Sequence, residues 1–221
     1  PTKSTYEKSL ELNIPTLNDF FGTKISDHIN NSFQKADLVI GNNVYAHVPN
    51  INDFTNGIKK ILNKNGTVTL EFPHLLNLVK NNLFDTVYHE HYSYLSLYTV
   101  IRIFNKHNLK IYNVEKISTH GGSLRIYGCH DDENIKINEN INTILKEEED
   151  NGLLNIKKYK NLQTVADKVK IEFLEFINQL KKENKIIAAY GAAAKGNTLL
   201  NFCNVKNDII DFVCDASEAK Q

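Results

Sequence analysis

Residues 36–73 alternate an apolar run, a segment of helical period and a second apolar run, and that rhythm confines the chain to a small set of α/β folds. In "ADLVIGNNV" (36–44) a β-rich core, Asp37 to Ile40, stops at Gly41 and two asparagines. A continuous apolar run ended by turn residues predicts a buried parallel strand. In "NINDFTNGIKKILNKNG" Phe54, Ile58, Ile61 and Leu62 recur at helical spacing, and Gly66 suits the position just past a helix end. "TVTLEFP" (67–73) predicts the returning strand, which completes a βαβ unit. Further on, Leu97, Ile101 and Phe104 share one face of a predicted helix in 95–108. The runs 109–117 and 121–130 follow without an intervening helix, which predicts an antiparallel pair added to a parallel sheet. The polar stretch 130–142 reads as a linker. Leu162, Val165, Val169, Phe173, Phe176, Ile177 and Leu180 mark a long helix. The α/β rhythm restarts with a strand at 185–191, a loop and helix at 192–203 and a strand in 208–217. The expected division is 1–131, 132–183 and 184–221.

Composition narrows the function. Twenty-six basic and 26 acidic residues give a net charge of zero, which argues against a general electrostatic grip on nucleic acid. Cys129, Cys203 and Cys214 form no C-x-x-C pair, so neither a disulfide framework nor a zinc cluster is expected, and a reducing cytoplasm is the natural setting. The longest apolar run, 186–194, is too short to span a bilayer, so no membrane partner is expected. The chain contains no Met and opens "PTKSTYEK", which reads as a fragment.

The densest chemistry lies in "FDTVYHEHYSYLS" (84–96), with two His, one Glu and three Tyr. Three readings stay open. His89 and His91 would face one side of a strand and could bind a metal with His74. The cluster could be a buried hydrogen-bonded network without chemistry. Or a histidine here could exchange protons, with Glu90 orienting or charge-tuning it and Tyr88 donating to a developing oxyanion. "NNVYAHVP" (42–49) puts Asn42, Asn43 and His47 beyond the carboxyl end of a parallel strand, where α/β sheets bind ligands, although turn chemistry alone accounts for asparagines there. "YGAAAKGNT" (190–198) offers Gly191, Gly196 and Lys195 to a phosphate or, equally, lets a helix pack closely on a sheet; it lacks the Walker A order. In "HGGSLRIY" (120–127) Ser123 and Arg125 face one side of a strand, and Arg125 could clamp a phosphate or carboxylate or simply be surface. "KEEED" (146–150) reads as solvated helix surface.

"DLVIGNNVYAHVPNINDF", "LEFPHLLNLVKNNLFDTVYHEHYSYLSL", "THGGSLRIY" and "YGAAAKGNTLLNFC" with "IDFVCDAS" occur in that order. Together they resemble the S-adenosylmethionine-dependent sugar C-methyltransferases that act on nucleotide-linked keto-sugars, and the similarity runs over nearly all 221 residues. The resemblance implies an α/β fold: the C-terminal part of a Rossmann-like methyltransferase sheet in 1–131, a linker and long helix in 132–183, and the start of a second α/β domain in 184–221. It implies S-adenosylmethionine as cofactor, a nucleotide sugar as substrate, and a place in deoxysugar biosynthesis. It implies His91 as the base that removes a proton beside the sugar ketone, Tyr88 and Glu90 as supporting acid/base partners, and His47 as a further polar wall. Asn42 and Asn43 would then face the cofactor, and Ser123, Arg125, Gly191, Lys195 and Gly196 the substrate. The family's zinc-binding cysteines have no counterpart, so no metal carries over. Its first strand, glycine-rich loop and ribose-binding acid are expected ahead of Pro1, so a fragment is expected to bind the cofactor weakly. Two other functions fit parts of the chain: a non-catalytic nucleotide-sugar module built on the Gly191 loop, and a metal-dependent hydrolase using His74, His89 and His91. The sugar, the carbon, the nucleotide and the oligomeric state are not specified by the sequence.

Overall fold

A computed structural model of the chain describes residues 2–220, so Pro1 and Gln221, the outer bounds of the expected domains, lie outside the described residues. Helices α1 (Lys3–Glu11) and α2 (Thr23–Ser32) precede strand β1 (Ala36–Asn42). Helix α3 (Ile51–Ile61) connects β1 to β2 (Leu62–Pro73), and the two strands pair in parallel. The helix forms where the sequence places it. Asn50 caps it by accepting from the Asp53 amide, and Phe54, Ile58 and Ile61 turn one face to the sheet. It ends at Ile61, and Leu62 already belongs to β2. The left-handed residue, Asn65 (φ 61°) and not Gly66, lies within β2, where its register against β1 shifts. A side-chain amide tolerates that conformation better than most residues do.

After the short helix α4 (Leu75–Lys80), α5 (Leu97–Lys106) leads into the antiparallel strands β3 (Leu109–Ile117) and β4 (Ser123–His130). Strand order is β1-β2-β4-β3, so β4 inserts antiparallel beside β2. One face of this mixed sheet carries Val68, Leu70, Phe72, Leu124 and Ile126, all buried under α3 and α5. The opposite face carries Thr67, Thr69, Glu71, Arg125 and Tyr127. The apolar run in β1 predicts burial on both faces, yet Leu38 and Ile40 are exposed, because β1 pairs only with β2 among the described residues.

Helix α6 (Asn140–Asp150) buries Ile141 and Ile144 in the same core. Part of the stretch between the two sheets is therefore packed structure rather than free linker. Helix α7 (Ile156–Lys182) runs on to the parallel pair β5 (Ala188–Tyr190) and β6 (Phe212–Cys214), which α8 (Ala194–Cys203) joins. Ile177, Cys203 and Val205 make a small second core. The Phe84 and Phe202 rings, 5.1 Å apart, bring α8 against the turn Phe84–Thr86. No helix among the described residues is long and apolar enough to cross a membrane.

Candidate active site

The "YHEHY" stretch forms neither strand nor helix; it is an irregular loop after the turn Phe84–Thr86. The amides of Tyr92 and Ser93 both donate to the Ala46 carbonyl (2.9 and 3.2 Å). Those two bonds bring the loop onto the turn Tyr45–His47, which follows β1. The turn itself is held by Tyr45, fully buried, whose hydroxyl lies 2.7 Å from the Thr55 hydroxyl.

The result is a cluster of mutually tilted rings. The His91 ring centroid lies 4.5 Å from that of Tyr88 and 4.6 Å from that of His47. His91 Nδ1 is 2.7 Å from the Thr86 carbonyl, and His47 Nδ1 is 3.0 Å from the Glu90 carbonyl. A carbonyl only accepts, so in each ring Nδ1 carries the proton and donates it. Each neutral ring therefore presents Nε2 with a free lone pair, ready to accept a proton. Burial first, then the carboxylates of Glu90 and Asp85, push the Tyr88 phenol above its ordinary range, so it stays a protonated donor at neutral pH. Glu90 is exposed; it reaches the cluster through its carbonyl and through its charge on Tyr88. His89 is exposed as well.

Beside the cluster lies a cleft lined by His74, Asn77, Thr86, His91, Tyr94 and His120, with leucines completing its wall. His120, Gly121 and Gly122 all adopt positive φ (54°, 82° and 107°). A Cβ on Gly122 would lie 2.2 Å from Asn77 Nδ2, so only glycine fits there. The Gly122 carbonyl accepts from the His74 amide and fixes that wall of the cleft.

The remaining candidates fall into three places. Asn42 and Asn43 sit at the carboxyl end of β1, and Asn43 turns the chain at φ 52° while its amide donates to the Glu71 carbonyl. Ser123 is buried, and its hydroxyl donates to the Thr119 carbonyl, so it holds the glycine turn instead of facing a ligand. Arg125 donates to the Glu71 carboxylate at 3.1 Å. Gly191, Gly196 and Lys195 belong to the second unit, at the start of α8. Gly191 (φ 96°) and Gly196 line a separate cleft there with Tyr190. The structure thus gathers His47, Tyr88, Glu90 and His91 and leaves the Gly191 loop apart from them.

Two buried carboxylates escaped the motif reading. Glu71, 6% exposed, lies on the same sheet face as Asn42 and accepts from Thr119 and Arg125. An acid inside the apolar run "TVTLEFP" was its only signal. Glu148, expected on a solvated surface, is 1% exposed. It accepts from His74 Nε2 (2.7 Å), the Leu97 amide (2.6 Å) and the Tyr98 amide (3.0 Å), so it neutralises the first turn of α5 and ties α6 to the cleft.

Residues 118–221 match the family described as C-methyltransferase C-terminal domain. Over 208 residues, 94% of its length, the chain is 30% identical to C-methyltransferase NovU of Streptomyces niveus. It spans about half the length of that relative, 50%. Among solved structures, a SAM-dependent methyltransferase of Anabaena variabilis shares 13% identity at a TM-score of 0.44, with 58% of this chain and 65% of that chain aligned. The magnesium protoporphyrin IX methyltransferase of Synechocystis shares 15% at a TM-score of 0.35, with 43% and 45% aligned.

Proposed function

We propose that the chain serves S-adenosylmethionine-dependent methylation of a carbon beside a ketone in a nucleotide-linked sugar; its 30% identity to one C-methyltransferase over 94% of its length supports this reading. The observation that carries the proposal is His91. Its Nδ1–H is held by the Thr86 carbonyl, and its Nε2 is left as an acceptor at the cleft wall, between His47 and Tyr88. A C–H beside a ketone is acidic enough for a positioned base to remove, and the charge then moves to the ketone oxygen. His91 takes that proton on Nε2. The Tyr88 hydroxyl, kept protonated, donates to the developing enolate oxygen. His47, with the same tautomer, takes a hydrogen bond from a substrate hydroxyl or shares the proton of His91. The carbon that has lost its proton is the nucleophile that C-methylation needs.

Asn42, exposed at the end of β1, and Asn43 beside it offer uncharged donors and acceptors next to the Glu71 carboxylate. That donor set fits the hydroxyls and the adenine amine of S-adenosylmethionine, and Asn42 and Asn43 would hold it at the strand end. When bound, the cofactor supplies an electrophilic methyl group. In the second unit, the Gly191 loop and Lys195 would meet the nucleotide end of the substrate, with Gly191 and Gly196 lining the cleft there.

Proton removal is separable from methylation. With a nucleoside-diphosphate keto-hexose in deuterated water, the protein is expected to exchange the C–H beside the ketone and no other ring hydrogen, as followed by proton NMR. A protein that leaves every sugar C–H at the uncatalysed rate has no base at this cleft, and the proposal fails.

A further inference from the structure

The same cleft has a second polar wall that plays no part in the chemistry above. His74 lines it, and its ring is almost wholly buried, with 1% of the side chain exposed. Histidine at that depth is ordinarily satisfied at both nitrogens. Here Nε2 is committed to Glu148, and Nδ1 has no hydrogen-bond partner among the described residues. Glu148 is itself held in place by the Leu97 and Tyr98 amides. The His74 backbone is pinned by its amide to the Gly122 carbonyl and by its carbonyl to the Asn77 amide. The ring is thus fixed at both ends of the residue, and Leu75, Leu78 and Leu83 line the cleft beside it together with the polar Asn77 and His120. A polar atom held in a fixed orientation at the wall of a cleft is the pattern by which a pocket reads a substrate's polar group.

We propose that His74, oriented by Glu148, is a specificity residue of this cleft whose Nδ1 recognises one hydroxyl of the bound sugar. The inference rests on the sugar-methylating role proposed above. A hydroxyl is the partner that suits it, because it donates to a neutral ring and accepts from a charged one. A deoxygenated carbon at that position would leave Nδ1 without that partner. Glu148 lies in α6, within the region that matches the C-methyltransferase C-terminal domain, so that region sets the orientation of a wall built by the first sheet.

The test reads the ring directly and needs no turnover. The full chain is labelled with nitrogen-15 histidine and titrated with UDP-glucose and with dTDP-glucose. His74 Nδ1 is expected to shift on binding while His74 Nε2, held by Glu148, stays. His74→Gln keeps an amide donor toward Glu148 and is expected to bind the responding sugar about tenfold more weakly. If His47 or His91 responds while His74 Nδ1 is unmoved and His74→Gln binds equally well, the assignment of His74 is wrong and the methylation role stands. If no histidine of the cleft responds to either nucleotide sugar, the cleft is not a sugar site and both proposals fall. Should the variant fail to fold, the wild-type titration decides alone.

Discussion

His91→Asn is expected to slow exchange of the hydrogen beside the sugar ketone by roughly 10²–10⁴, the usual contribution of a positioned acid/base group. Asparagine can still donate an N–H to the Thr86 carbonyl, so the loop keeps its anchor while the acceptor at Nε2 disappears. Binding of the nucleotide sugar should change little, because the substitution removes an interaction made in the transition state. Tyr88→Phe should cost less, since in the proposed reaction the phenol would steady the enolate oxygen and would not take the proton. His47 makes the comparison sharp. Its ring is 4.6 Å from that of His91 and has the same tautomer, so it is the alternative base. If His91→Asn leaves exchange intact and His47→Asn abolishes it, the roles are reversed.

Glu148→Leu should produce the largest loss of stability. Three N–H donors converge on that carboxylate in the core. Removing it leaves His74 without its partner and uncaps the Leu97 and Tyr98 amides. Breaking a buried pair on one side costs ~3–5 kcal/mol, which in a chain of this size lowers Tm by roughly 10 °C. The double variant His74→Phe, Glu148→Leu should recover part of the loss, because both polar partners are then gone. It should not recover all of it, since the two amides stay uncapped. Thermal and urea denaturation of the two single variants and the double variant measure these differences. A Glu148→Leu protein within about 0.5 kcal/mol of wild type would behave as a surface substitution and contradict the buried geometry.

The elements that were legible in the sequence owe their structure to local pattern. Helix α3 shows Phe54, Ile58 and Ile61 at helical spacing, and β3 and β4 show continuous β-rich runs with glycines between them. Their boundaries were less legible because this chain places asparagine where glycine is usual. Asn43, Asn65 and Asn108 all take positive φ, and an Asn-rich sequence does not mark which of its asparagines will turn. The site divides in the same way. His47 and the 84–96 stretch stand out by residue type, but their contact is made through the Ala46 carbonyl and the Glu90 carbonyl, and backbone groups carry no sequence signature. Glu148 was unreadable for another reason. Its partners lie 50, 51 and 74 residues away, and nothing within "KEEED" distinguishes the acid that turns inward from those that face water.

Methylation at carbon is tested most directly by following the methyl group itself. Protein, a nucleoside-diphosphate keto-hexose and S-adenosylmethionine labelled with carbon-13 in its methyl group are incubated together, and the product is read by carbon-13 NMR. A labelled methyl bonded to the ring carbon beside the ketone is expected, shown by one-bond carbon–carbon coupling when the sugar is also labelled, and formed only while His91 is present. A labelled methyl on oxygen or nitrogen, or a sugar that stays unmethylated while the protein binds both compounds, would contradict it.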